Sequence, residues 1–194
     1  MSSRGDRPCA VILSGGAGRR IGGRKAFVQL GGSPLVAHVI ERLSPQVARL
    51  AINAAPDPAF ALYDLPLVPD AVPDRGPLAG ILAAMDWAHA EGEERVLTAA
   101  VDTPFLPRDL VAQLAGAEGP AAYALTSDGP HATTAIWSVD LRDDLRDALA
   151  RGVRKVRDWT ASIHATAVHF DDASAFLNIN TPDDLRLAEK RLPS

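Results

Sequence analysis

Short apolar runs alternate with helical stripes along the first half of this chain, and that alternation restricts the fold more than any other feature. Ala10–Leu13, Leu50–Asn53, Leu65–Val68 and Val96–Val101 are strand-length runs bounded by turn formers. Between the first two, a helix begins near Pro34, with Leu35, Val36, Val39, Ile40 and Leu43 on one face. From about Pro77, Leu78, Ile81, Leu82 and Met85 keep the i, i+3, i+4, i+7 spacing of a buried helical face. Leu106, Leu110, Val111 and Leu114 repeat that spacing after the fourth run. Such a sequence predicts an α/β fold, a single-domain doubly wound (Rossmann-like) and mostly parallel sheet with helices on both faces.

The second half is less regular. Ala121–Leu125 and Thr133–Val139 read as strands around the turn Ser127-Asp128-Gly129-Pro130, and Val168–Phe170 as a late strand. Leu141, Leu145 and Leu149 form a helical stripe. The last helix is marked by Thr181 as N-cap, Pro182 at the first helical position, and Asp183 and Asp184 in the first turn. The 194 residues carry no repeat, low-complexity tract or linker, so one domain spanning 1–194 is expected.

Charge and cysteine content narrow the function. The net charge of −4, without a run of five or six like charges, gives no footprint for nucleic acid or a membrane surface. Cys9 is the single cysteine, which rules out an internal disulfide or a multi-cysteine metal cluster. Met1–Arg7 is polar, unlike a signal peptide, and no apolar run approaches the ~20 residues of a membrane span, so a cytoplasmic location is expected.

The chemistry gathers where strands meet loops. In a doubly wound sheet, ligands bind beyond the carboxyl ends of the strands where the strand order reverses. With strand order 3-2-1-4, that crevice lies between the first and fourth strands. The first runs into Leu13-Ser14-Gly15-Gly16-Ala17-Gly18-Arg19-Arg20, and the fourth into Asp102. Glycines let backbone N–H groups surround phosphate oxygens, and Arg19, Arg20, Arg24 and Lys25 add positive charge. An aspartate opposite suits Mg²⁺, a hard cation that takes one or two carboxylates plus substrate phosphates. Neither a Walker loop nor a dinucleotide fingerprint is present: Lys25 sits between Arg24 and Ala26, and Ile21 stands where G-x-G-x-x-G needs glycine. The bland alternatives are a surface glycine loop, an Asp102 that caps the next helix, and Asn53 and Asp70 as turn formers.

The stretch from Leu13 to Lys25 resembles the signature loop of the MobA-type nucleotidyltransferases, the family of molybdenum cofactor guanylyltransferases. Three further segments resemble that family in order: Arg75-Gly76-Pro77-Leu78-Ala79-Gly80, Asp102-Thr103-Pro104-Phe105 and Asn178-Ile179-Asn180-Thr181-Pro182-Asp183. Ser14 replaces the usual alanine, Arg24 stands where an acidic residue is common, and the Gly23–Lys25 spacing is one residue shorter than in many relatives.

The resemblance implies transfer of GMP from GTP to the phosphate of molybdopterin, with release of pyrophosphate and formation of the guanine dinucleotide cofactor. It implies Mg²⁺ on Asp102, and a catalytic set of Asp102, Lys25 and Arg19. Leu13, Ser14, Gly15, Gly16, Lys25, Asn53, Asp70, Gly76, Gly80 and Asp102 would hold the nucleotide, with Asn178 and Asn180 toward the pterin. The nucleotide-binding part would occupy about residues 8–115 and the acceptor part about 120–194. Passing contacts with proteins of cofactor biosynthesis and molybdoenzyme maturation are also implied. Alternatives are a related transferase using CTP or another NTP with a pterin, sugar-phosphate or alcohol-phosphate acceptor, and a non-catalytic pterin carrier. His131 receives no catalytic role.

Overall fold

The computed structural model describes residues 7–15, 24–70 and 76–192. β1 (Cys9–Leu13) is buried along its whole length, as a central strand of a parallel sheet must be. A 3₁₀ turn at Lys25–Phe27 leads into a small hairpin of β2 (Gln29–Leu30) and β3 (Ser33–Pro34), and then into α1 (Leu35–Leu43). β4 (Leu50–Asn53) follows, then α2 (Pro77–Ala90), β5 (Arg95–Ala100) and α3 (Leu110–Ala115). The rest of the chain supplies β6 (Ala121–Thr126), β7 (Gly129–Ser138), α4 (Arg142–Ala150), α5 (Val156–Ser162), β8 (Thr166–His169) and α6 (Pro182–Glu189).

Among the described residues, six strands form one sheet in the order β4-β1-β5-β7-β6-β8. β1 is parallel to both β4 and β5, and β6 to β8, whereas β7 runs against β5 and β6. From β1 the chain moves outward to β4 on one side and then crosses back to β5 on the other. The order therefore reverses at β1 and β5, as expected.

Alternate side chains of β1 enter different cores. Ala10 and Ile12 pack with α1 and α3, while Cys9, Val11 and Leu13 pack with α2, α4 and α5. α2 is buried on nearly every side because α4 covers the flank that the sheet does not. Trp137 of β7 and Trp159 of α5 are fully buried with ring centroids 5.1 Å apart, a pairing that contributes about 0.5–1.5 kcal/mol beyond area burial. Their polar ends are satisfied: Trp137 Nε1 donates to Thr98 Oγ1 at 2.8 Å, and Trp159 Nε1 to Asp144 Oδ1 at 2.7 Å.

Three expectations change in detail. Leu65–Val68 is a single parallel bridge, Leu67 to Ile52, rather than a strand. Ile52 pairs through the Pro66 carbonyl and the Val68 N–H, and Pro66 has no N–H to give to Leu50, so the ladder cannot extend on that side. The helix expected from Leu106 begins only at Leu110, after the prolines at 104 and 107. α5 and the β2–β3 hairpin are additions that the hydrophobic pattern did not reveal.

Candidate active site

Backbone hydrogen bonds draw three chain crossings together at the carboxyl edge of the sheet. Val101 donates its N–H to the Leu13 carbonyl at 3.0 Å, and Ser14 donates to the Asn53 carbonyl at 2.9 Å. The exits of β1, β4 and β5 are thereby side by side, and the Asp102 turn stands next to the start of the glycine loop. Asn53, only 3% exposed, turns its amide nitrogen toward the Val68 carbonyl at 2.8 Å and Asp70 Oδ1 at 2.7 Å. Instead of a local turn, it ties β4 to the neighbouring segment. Asp70 is exposed at the end of that segment.

The N-terminus of α2 rises beside Asn53. Gly76 caps it with φ 66° and ψ −159°, a conformation open to glycine, and Pro77 follows at the first helical position. Gly80 faces Asn53 so closely that an added Cβ would lie 2.5 Å from Asn53 Oδ1 and 3.1 Å from Leu13 Cδ2.

Across the crevice, the Lys25 ammonium donates both to Asp102 Oδ2 and to Asn180 Oδ1. Lys25 and Asp102 keep only 14% and 16% of their side-chain surface exposed, so water screens this pair less than an open surface pair. The Asp102 turn is fixed by Thr103 Oγ1, which donates to the Ala100 carbonyl at 2.8 Å, and by the N–H of buried Ile179, which donates to the Asp102 carbonyl at 2.9 Å. Ile179 points inward, leaving Asn178 and Asn180 on the exposed side of the same segment.

Asp184 holds that segment from α6. Its Oδ2 accepts the N–H groups of Asn180 at 2.9 Å and Thr181 at 2.8 Å, while Thr181 Oγ1 accepts the Asp184 N–H at 3.2 Å, a reciprocal capping box. The bond from the Asn180 N–H leads in keeping the Asp184 carboxyl below its ordinary range, with smaller help from Thr181 and from the charge of Lys25. The sequence marked Asp184 only as a helix-start residue; its grip on Asn180 was not visible there.

Of the expected site residues, Leu13, Ser14, Gly15, Lys25, Asn53, Asp70, Gly76, Gly80, Asp102 and Asn180 all belong to the segments bordering this crevice. Asn178 joins them on the exposed edge. Gly16 and Arg19 fall outside the described residues, as does Arg20. Arg24, counted above among the cations of the loop, is committed to Asp57 at 2.5 Å and lies over the Phe27 ring at 4.6 Å. His131 is half-buried in β7, bonded to Thr126 Oγ1 at 2.9 Å and stacked on Phe176, and burial lowers its pKa.

The arrangement fits a hard divalent cation in one specific way. Among the described residues, no three His, Cys, Asp or Glu side chains gather as a multidentate site. Asp102 Oδ1, however, is buried and has no hydrogen-bond partner among them, while Oδ2 is taken by Lys25. One aimed carboxylate oxygen is what Mg²⁺ needs when phosphates and water complete its shell.

The mostly parallel sheet carries a lysine–aspartate pair at its switch point, and the family match sets the class as a nucleotidyltransferase. Residues 10–167 match the model of the MobA-like NTP transferase domain, and the chain belongs to that family. A molybdenum cofactor guanylyltransferase of Cereibacter sphaeroides is 46% identical over 185 residues, which span 94% of this chain and 95% of that protein. One from Nitrobacter hamburgensis is 43% identical, covering 93% of this chain and 92% of its own. Among solved structures, the molybdopterin-guanine dinucleotide biosynthesis protein A of Archaeoglobus fulgidus is 27% identical with a TM-score of 0.74, covering 94% of this chain and 97% of that one. The 4-diphosphocytidyl-2C-methyl-D-erythritol synthase of Anaerococcus prevotii, 15% identical at a TM-score of 0.73 over 96% of both chains, shares the fold.

Proposed function

We propose that this chain transfers GMP from GTP to the terminal phosphate of molybdopterin, releasing pyrophosphate and forming the guanine dinucleotide cofactor. The names of the relatives supply the substrates, and the Lys25–Asp102 pair at the switch point carries the reading. An acceptor phosphate oxygen attacks the α-phosphorus of GTP in line. A new P–O bond forms there, the bond to the bridging oxygen breaks, and pyrophosphate departs with the electron pair.

The attacking phosphate is already ionised, so the reaction needs no general base. Alignment and charge neutralisation remain for the protein. The backbone of Leu13, Ser14 and Gly15 meets the nucleotide, and the Lys25 ammonium holds its phosphates. Arg19 and Gly16, expected from the sequence at the phosphates and the nucleotide, lie outside the described residues. Asn53, steadied by Asp70, borders the guanosine, and Gly76 and Gly80 let the start of α2 approach it. Asp102, whose Oδ1 Lys25 leaves open, would hold Mg²⁺, and the ion would supply charge neutralisation for the triphosphate. Asn178 and Asn180 face the acceptor, so the pterin lies beside the second half of the chain. GTP as donor suits a cytoplasmic setting, and the product passes from there to proteins of cofactor handling.

The test is pyrophosphate release from GTP and Mg²⁺, with and without molybdopterin. Release should require the acceptor, and Asp102→Ala should lower the rate by about 100-fold or more with an unchanged circular dichroism spectrum. Absence of acceptor-dependent release, or near-normal turnover in the Asp102 variant, would contradict the proposal.

A further inference from the structure

Asn180 is exposed, yet its place is closely specified. Its N–H and the next one along the chain both donate to one oxygen of Asp184, at 2.9 and 2.8 Å. Just before it, Ile179 is locked to the Asp102 carbonyl. The Asn180 side chain then accepts from the same ammonium that Asp102 binds. An ammonium carries three rotatable donors on a flexible stem, so a single carboxylate partner leaves its direction loose. A second acceptor from another segment fixes that direction, and a neutral one does so without cancelling the charge. Among the described residues two of the three donors are used in this way, which leaves the third for a phosphate oxygen.

We propose that Asp184 is a positioning residue for nucleotidyl transfer: its carboxylate fixes Asn180, and Asn180 in turn fixes the Lys25 ammonium beside Asp102. The inference rests on the guanylyl-transfer reading of this site. An ordinary helix cap stabilises α6 and stops there; this one reaches the phosphate-facing lysine through one intervening side chain.

Five variants separate the two roles. Asp184→Ala should lower the kcat of acceptor-dependent pyrophosphate release by about tenfold or more, since displacements near 1 Å are costly to alignment. Asp184→Glu, the commoner partner in a capping box, should restore kcat to within about threefold. Thr181→Ala removes the other half of the cap, so it should lower the melting temperature comparably while keeping kcat within about threefold. In calorimetric titrations with GTP alone, Asp184→Ala should weaken binding about tenfold in the native background but less than about twofold on top of Lys25→Ala, because two residues acting through one group are not additive. Equal losses of kcat in the Asp184 and Thr181 variants, wild-type kcat in Asp184→Ala, or additive losses of GTP affinity would each overturn the positioning role alone. An unmodified protein that releases no pyrophosphate would overturn the transfer reading, and this inference with it.

Discussion

Gly80 shows how tightly a single residue is written into this crevice. Replacing glycine with alanine inside a helix ordinarily gains about 1 kcal/mol. Here the new methyl would sit 2.5 Å from the Oδ1 of Asn53, a side chain 3% exposed and held by Val68 and Asp70. Gly80→Ala should therefore lower both the melting temperature and, by about tenfold, the calorimetric affinity for GTP, because the displaced Asn53 cannot keep its two bonds. A raised melting temperature with unchanged GTP affinity would show that Asn53 yields at no cost. At this scale Lys25 and Asp102 were legible in the sequence, since a glycine- and arginine-rich turn and a strand-ending aspartate are informative letters. The contact between Lys25 and Asn180 was not, because 155 positions separate them and an asparagine before a helix reads equally well as a loop residue.

Among the elements, those whose pattern is set by burial were readable and those set by a single anchor were not. β1, α1, β4, α2 and β5 carry unbroken apolar faces, and the ends of these strands and the starts of these helices fall within a residue or so of the expected ones. α5 has only Val156, Trp159 and Thr160 buried among charged neighbours, and one tryptophan against Trp137 fixes it. The start of α6 was legible in Thr181-Pro182, and its box sets an acid limit. The folded Asp184 carboxyl lies below its ordinary 3.8. Its contribution to stability is thus complete above that ordinary value and fades as pH falls through the lowered one. Urea melts between pH 5 and about 3 should show Asp184→Asn losing less stability on acidification than the native chain. Parallel pH profiles for the two proteins would remove Asp184 from the acid response.

For the whole molecule, the sheet order β4-β1-β5-β7-β6-β8 explains why one edge carries the chemistry. The reversal at β1 and β5 opens a crevice between neighbouring strand exits, α2 enters it with its positive N-terminal end, and the bond from Ile179 to the Asp102 carbonyl with the Asp184 cap of α6 holds the Asn178–Asn180 segment beside it. Fold alone leaves the nucleotide open, since the cytidyl-named neighbour shares it. The most direct measurement is a pair of calorimetric titrations, GTP against CTP, each with Mg²⁺. The account predicts GTP binding tighter by about tenfold or more, the discrimination expected when a site's buried polar groups match one base and are left unpaired by the other. Equal affinity, or a preference for CTP, would contradict it.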